Sequence, residues 1–529
     1  MKSKFLKILF FIIPLAVWLG SVPAGSNAPG AGRQLLTSGI TVTLNPTGIA
    51  PLSAQATFQT SLNCSVLVEI MDEGEAGQSA YPALASKIFE NDGTDHAIPI
   101  LGLYPGRMNS VALTLFTHHG RPESHLLSIE TDPLPSFFPD IEVSAADPGR
   151  MEPGMNLSTL NIRTRQGSQM YPIISDHNGI VRWYLDLSAH KGLLAPFRRI
   201  GNGNFLGSIG DWIYEYDPLG RLVYEINLPG YNFHHDIIEL PNGNLVACVD
   251  KSGTTNVNSR GLIPSTGDFI IEINPAAKSI VTTWDLREIL DVDRNEQINS
   301  NGDWFHMNGL WYSPDDHCLI VSGRHQGIAK VTWENELKWI LAPRQGWGNA
   351  GYDGSGPPTS PYLLTAVAAG GTPYATEIQD GYAGADDFDW NFGQHFPLVL
   401  PNGNLLLFDN GDFRYFISGF PQFSRCVEFR IDEATMTVEQ VWEYGKERGQ
   451  ETYSRIISAV GHLPQTANRL FCPGIIQTAE GTSAKIIEVA YPGKDVVFEA
   501  TLRFKNLLAA PGLPVADNIY RSYRISIYP

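Results

Sequence analysis

Short apolar runs recur along most of this chain, separated by turn residues. Residues 405–409 read Leu-Leu-Leu-Phe-Asp, 245–249 read Leu-Val-Ala-Cys-Val and 319–321 read Leu-Ile-Val. Runs this short, bounded by Gly, Pro, Asn and Asp, predict buried strands rather than helices, which need ten or more periodic positions. From about residue 155 the runs come in groups of roughly four. The last of a group often carries a large aromatic, as at Trp284, Trp339, Trp442 and Phe498. Four-stranded antiparallel sheets repeated around an axis make a β-propeller. Six such groups can be counted. The closing stretch, residues 520–528, alternates as a strand and is expected to complete the first group and close the ring, which removes exposed sheet edges.

Ahead of the repeats, residues 33–135 hold several short alternating segments: 40–44, 54–58, 65–70, 111–115 and 126–130. That spacing predicts a small immunoglobulin-like sandwich. Asp132-Pro133-Leu134-Pro135 ends it, and a linker rich in Pro, Asp and Gly is expected to run to about residue 154. Residues 1–28 have a different character. Lys2, Lys4 and Lys7 precede the apolar run 8–19, and the small residues Val22-Pro23-Ala24 follow. This is the layout of a secretory signal, and the run is short for a membrane span. The expected organisation is therefore all-β: a signal peptide at 1–28, a sandwich at 33–135 and a six-bladed propeller at 155–529, in the periplasm or secreted.

Composition narrows the partners. The 529 residues carry a formal net charge of −18, so nothing draws the chain to nucleic acid. Five cysteines leave at least one unpaired, and no two have zinc-ligand spacing. Cys248, Cys318 and Cys472 fall in or near apolar runs and read as small buried hydrophobes. There is no Gly-x-x-x-x-Gly-Lys loop to cradle a nucleotide, and no cofactor is expected; there is no Gly-x-Ser-x-Gly elbow for a serine nucleophile either.

The chemistry concentrates at one register of the repeat. His395 stands six residues before the turn Pro401-Asn402-Gly403-Asn404, and His235 stands six before Pro241-Asn242-Gly243-Asn244. A looser copy puts Asn308 six residues before Pro314, with His306 two residues earlier. Ser458 holds the register before Pro464. The first strand of each blade lines the central channel, so residues at a shared register are expected to meet there. His306 would share the face of Asn308, and His234 would point away from His235. Arg324, just after the fourth group's second run, is within reach of the same mouth. The Asn-Gly turns themselves are structural, supplying positive φ. Two long insertions, 251–268 and 343–389, are rich in Gly, Ser and aromatics and suit lids. Neutral imidazoles, an arginine fork and an amide suit an anionic group on a small substrate. The register supplies no carboxylates to join the histidines, which argues against a metal site.

Four segments resemble the bacterial arylsulfate sulfotransferases: His234-His235-Asp236, Asp303-Trp304-Phe305-His306-Met307-Asn308, Ser322-Gly323-Arg324-His325-Gln326 and Gly393-Gln394-His395. The resemblance implies transfer of a sulfuryl group from an aryl sulfate to a phenol, without a nucleotide donor. It implies His395 as the nucleophile that becomes sulfated, with His235, His306, Asn308 and Arg324 around the sulfate. Small phenols and their sulfates would be the partners, with no membrane beyond the signal and a homodimer left open. Some members carry a cysteine pair near the nucleophile; residues 343–395 contain no cysteine here. The aromatics Trp304, Phe305, Tyr352, Trp390 and Phe392 suit either phenol stacking or core. Two other readings stand beside transfer: an exported binding propeller without chemistry, and an aryl sulfate hydrolase with water as acceptor.

Overall fold

A computed structural model describes residues 35–71, 85–90, 93–117, 121–164, 167–190, 196–258, 261–264, 269–294, 303–479, 481–505 and 517–529. The expected signal segment lies outside the described residues. Among those described, no helix is long and apolar enough to cross a membrane.

The N-terminal strands form two antiparallel sheets. Thr41–Leu44, Ser53–Gln59 and Asp95–Leu101 make one; Ser86–Phe89, Ser65–Met71, Met108–Phe116 and Glu123–Glu130 make the other. Alternation decides the inner faces. Val66, Val68 and Ile70 and, opposite them, Val111, Leu113 and Leu115 are buried, as are Ala54, Ala56 and Phe58 from the other sheet. This sandwich sits on the first propeller blade. There the Arg182 guanidinium donates to the Gly102 carbonyl at 3.0 and 2.7 Å and lies over the Tyr104 ring.

The repeats build six sheets of four or more strands. The inner strands of blades two to six are Phe197–Arg199, Tyr231–Glu239, Met307–Ser313, His395–Val399 and Ala459–His462. The inner strand of blade one is the C-terminal Asn518–Ile525, hydrogen-bonded to Met155–Thr164. The stretch expected as a linker behaves differently. Asp140–Ala146 pairs with Val496–Arg503 as the outermost strand of blade six. The ring is thus closed twice, by a strand from each side of the repeats. The linker expectation failed because that strand exposes one face and half-buries the other, leaving no buried run to read.

The turns show why the repeat uses Asn-Gly-Asn. The Asn204, Asn244 and Asn404 side chains donate to Glu215, Glu272 and Glu428 on the third strands of their blades, at 2.5, 2.6 and 2.7 Å. Each buried carboxylate thereby satisfies the turn beneath it. In blade four the charges are exchanged: the turn carries Asp316, and Lys330 occupies the third-strand position. That exchange explains the looser Pro314-Asp315-Asp316 copy. The insertion 343–389 is folded. Its Thr365–Ala366 adds a parallel strand to blade five, and it contains the short helix Thr376–Gln379. All five cysteines are buried and unpaired.

Across the axis, Asp236 accepts from Arg198 at 2.6 Å and pairs with Arg521 at 2.9 Å. It also accepts the Leu310 N–H at 2.9 Å. One buried carboxylate therefore links blades one to four. The Arg521 guanidinium also lies over the Phe396 ring of blade five.

Candidate active site

The inner strands do not run straight through the channel mouth. His235, His306, Phe396, Ile457 and Ser458 all have positive φ, within five to eight residues before the turn prolines of four consecutive blades. The ladders of blades three, four and five skip at or close to these residues, between Phe233 and Ile237, Met307 and Gly309, and His395 and Leu398. Left-handed backbone at a non-glycine residue costs about 1–2 kcal/mol, and such strain gathers where function over-determines the backbone. These kinks turn the candidate side chains into one place.

His395 is buried at the start of blade five's inner strand. Its Nδ1 lies 2.8 Å from Asn410 Oδ1 and 3.1 Å from the Gly393 carbonyl oxygen. The Asn410 amide nitrogen donates to the carbonyls of Ser454 and Ile457, which fixes its oxygen toward the ring. Both neighbours of Nδ1 are acceptors, so Nδ1 carries the hydrogen and Nε2 keeps the lone pair. The Ile457 N–H donates to that Nε2 at 3.2 Å.

His306 has its Nδ1 2.6 Å from Asp303 Oδ2. Its ring lies 4.8 Å from that of His235 and 5.0 Å from that of His325. His235 lies against His234, Nδ1 to Nδ1 at 3.0 Å. This corrects the expectation that His234 points away: alternation fails because residues 234–236 are skipped by the ladder. The loop before His306 is stitched to the Arg324 segment. Arg324 and His325 donate their backbone N–H groups to the carbonyls of His306 and Phe305. Gly323 makes this approach possible, since a Cβ there would fall 2.2 Å from the Phe305 ring. The Arg324 guanidinium donates to Asp412 at 2.8 Å, and its Nε is buried without a partner.

Asn308 is buried, and its amide nitrogen donates to the Gln394 carbonyl at 2.7 Å. Its Oδ1, an acceptor, has no partner. Only the second amide hydrogen is left for an anion. The Ser458 hydroxyl is engaged internally, donating to Ser454 Oγ at 2.9 Å and accepting the Gly474 N–H. Trp304, Phe305, Trp390 and Phe392 are core residues, whereas Tyr352 is exposed. A hollow of about 670 Å³ lies toward the other ends of the inner strands, lined by Arg198, Trp311, Leu398 and Tyr523 among others. Its arginines are already engaged: Arg198 with Asp236, Arg199 with the Ser526 and Ile527 carbonyls, and Arg524 with Glu488.

Desolvation, then the positive charge of Arg324, hold the His395 ring well below the usual imidazole range. His235 is lowered in the same way by burial and by His306. The stability consequence has a definite sign. In the unfolded chain His395 takes up a proton below about pH 6.5, while the folded ring stays neutral. Its contribution to stability is therefore complete above about pH 6.5 and is lost as pH falls. The loss is at most about 1.4 kcal/mol per pH unit for one group. In thermal melts between pH 7 and 5, His395→Asn should lose less stability than the parent. Parallel slopes would show that His395 titrates normally in the folded protein.

Comparison with known proteins places the chain. Residues 140–509 match the family described as Arylsulfotransferase (ASST), and residues 41–132 match the Arylsulfotransferase Ig-like domain. The arylsulfate sulfotransferase AssT of Escherichia coli O6:H1 is 27% identical, over 87% of this chain and 89% of the relative. The enzyme of the same name from Lelliottia amnigena is 26% identical over the same shares. A solved structure of unknown function from Bacteroides thetaiotaomicron aligns over 88% of this chain and 98% of its own, at 12% identity and a TM-score of 0.30. With the family matched over most of both domains, the chain belongs to the arylsulfotransferase (ASST) family and is a transferase.

Proposed function

We propose that this enzyme moves a sulfuryl group from an aryl sulfate to a phenol in two displacements, through a sulfated His395. The observation that carries the reading is the tautomer of His395. Two acceptors hold Nδ1, so Nε2 carries the lone pair that attacks, once it gives up the hydrogen bond from the Ile457 N–H. In the first displacement Nε2 forms a bond to sulfur as the bond from sulfur to the phenolic oxygen breaks. The departing oxygen takes a proton from His306. In the second, an incoming phenol gives its proton back to His306 and its oxygen takes the sulfuryl group, freeing His395.

His306 suits the acid–base role better than His235. The Asp303 carboxylate accepts from His306 Nδ1, which orients the ring and stabilises the imidazolium, the logic of a carboxylate–histidine pair. Arg324, anchored by Asp412, and the spare Asn308 hydrogen face the non-bridging oxygens. His235 packs on His306 and completes the pocket wall. Sulfuryl transfer, like phosphoryl transfer, depends mainly on positioning and charge, so an imidazole kept neutral by burial is a suitable nucleophile. We place the reaction outside the cytoplasm, on the charged, apolar and small-residue order of residues 2–24.

Arg324→Lys tests the anion-holding role. The ammonium keeps the charge but loses the planar fork. Turnover of an aryl sulfate should fall on the order of 10²-fold, the scale of losing one transition-state donor. Turnover near the parent's would remove Arg324 from the sulfate site.

A further inference from the structure

The repeat register alone supplies no carboxylate and so argues against a metal site. The carboxylate comes instead from the loop three residues before His306. Asp303, His306 and His325 each present one ligand atom, and the three atoms lie within 4.8 Å of one another. His325 Nδ1 lies 2.7 Å from the Asp303 carbonyl oxygen, an acceptor. That hydrogen bond fixes the tautomer and leaves the other ring nitrogen as the donor, the support usually found behind a ligating histidine. Two imidazoles and one carboxylate form a three-ligand set with a fourth position open. This set favours a zinc-like transition metal over magnesium or calcium, which prefer oxygen.

The size of the adjustment is modest. Zinc holds such atoms at about 2.0–2.1 Å, so in a tetrahedron they sit roughly 3.4 Å apart. Any pair that stands apart must close by at most about 1.4 Å, while His306 Nδ1 and Asp303 Oδ2, 2.6 Å apart, must open if both bind. Asp303 and His306 side chains are 35% and 27% exposed, so they have room to turn. One feature opposes the ion: Arg324 Nη1 lies 3.4 Å from His325 Nε2. That guanidinium is already held on Asp412.

We propose that Asp303, His306 and His325 form a binding site for a divalent transition-metal ion of the zinc type, and that filling it stops sulfuryl transfer. The second half rests on the acid–base role given above to His306, which an ion would occupy together with its Asp303 partner. The ion would then act as an inhibitor that competes with the proton shared by this pair.

The test uses the full chain and Co²⁺ as a visible probe for Zn²⁺. The parent should bind one equivalent of Co²⁺ and show the visible absorption of a four-coordinate ion, with Zn²⁺ displacing it. Asp303→Asn and His325→Gln should each weaken binding at least about 10-fold, with melts showing that both remain folded. In chelator-treated buffer His325→Gln should keep the parent's turnover, because it takes no part in transfer, yet resist inhibition by Zn²⁺. No Co²⁺ absorption in the parent, or unchanged absorption in both variants, overturns the site. Binding as expected without inhibition leaves the site standing and overturns the role of His306. The absorption arm needs no sulfotransferase activity, so it stands even if the proposed reaction fails.

Discussion

Removing residues 518–529 should unfold the propeller rather than trim it. These residues form the inner strand of blade one and the tail that packs on the sandwich, where Tyr528 Oη accepts the Leu101 N–H. Ile519 is fully buried and Tyr520 nearly so, with its hydroxyl donating to the His235 carbonyl. Charge matters more than area. Arg524 pairs with the fully buried Glu488 at 3.0 Å, and Arg521 with the fully buried Asp236 at 2.9 Å. Stripping a partner from a buried pair costs about 3–5 kcal/mol. Asp236 retains Arg198, so its loss is the smaller of the two. The sum is still comparable with the 5–15 kcal/mol that typically holds a domain together. The truncated chain should lose the parent's cooperative melt or melt at least about 10 °C lower. Arg521→Met isolates the Asp236 part and should show a smaller drop. A truncated protein that melts like the parent would mean that the C-terminal strand does not hold the ring.

Much of this architecture was legible because propeller strands are buried on both faces and their turns repeat. Apolar runs, Asn-Gly turns and the final alternating stretch were enough to count blades and foresee the closing strand. The strand Asp140–Ala146 was not legible, because its polar surroundings and half-buried face resemble a linker. At the site, the shared register pointed to His235, Asn308 and His395. The assumption that neighbours in a strand face opposite ways excluded His234 wrongly, since the backbone turns left-handed at His235. Asn410 was missed, and Asp303 was seen in a matching segment but given no role, because both lie outside the register. A usable signal existed for one of them. Asn410 directly follows the second strand of blade five, as Arg324 directly follows that of blade four. Residues just past the second strand therefore reach the same mouth.

His395→Asn should abolish transfer, and the loss should be of a particular kind. Asparagine keeps a polar side chain near Asn410 but has no ring nitrogen to form a bond to sulfur. With the parent and no phenol acceptor, a burst of released phenol close to one equivalent per chain is expected, followed by a stall if water is kept out. With acceptor present, the kinetics should be ping-pong. The variant should show neither the burst nor turnover above the uncatalysed rate, while its melt stays near the parent's at neutral pH. Steady release of free sulfate by the parent without acceptor would favour a hydrolase. Binding of aryl sulfate without any burst would favour a binding propeller.

The most direct measurement is the intact mass of the protein shortly after mixing with an aryl sulfate and no acceptor, followed by peptide mapping. The expected result is a gain of one SO₃ group per chain, mapped to His395, that disappears when a phenol is added and never forms on His395→Asn. A parent that turns over aryl sulfate without ever gaining that mass, or a sulfuryl group mapped to another residue, would contradict the role of His395 as the nucleophile.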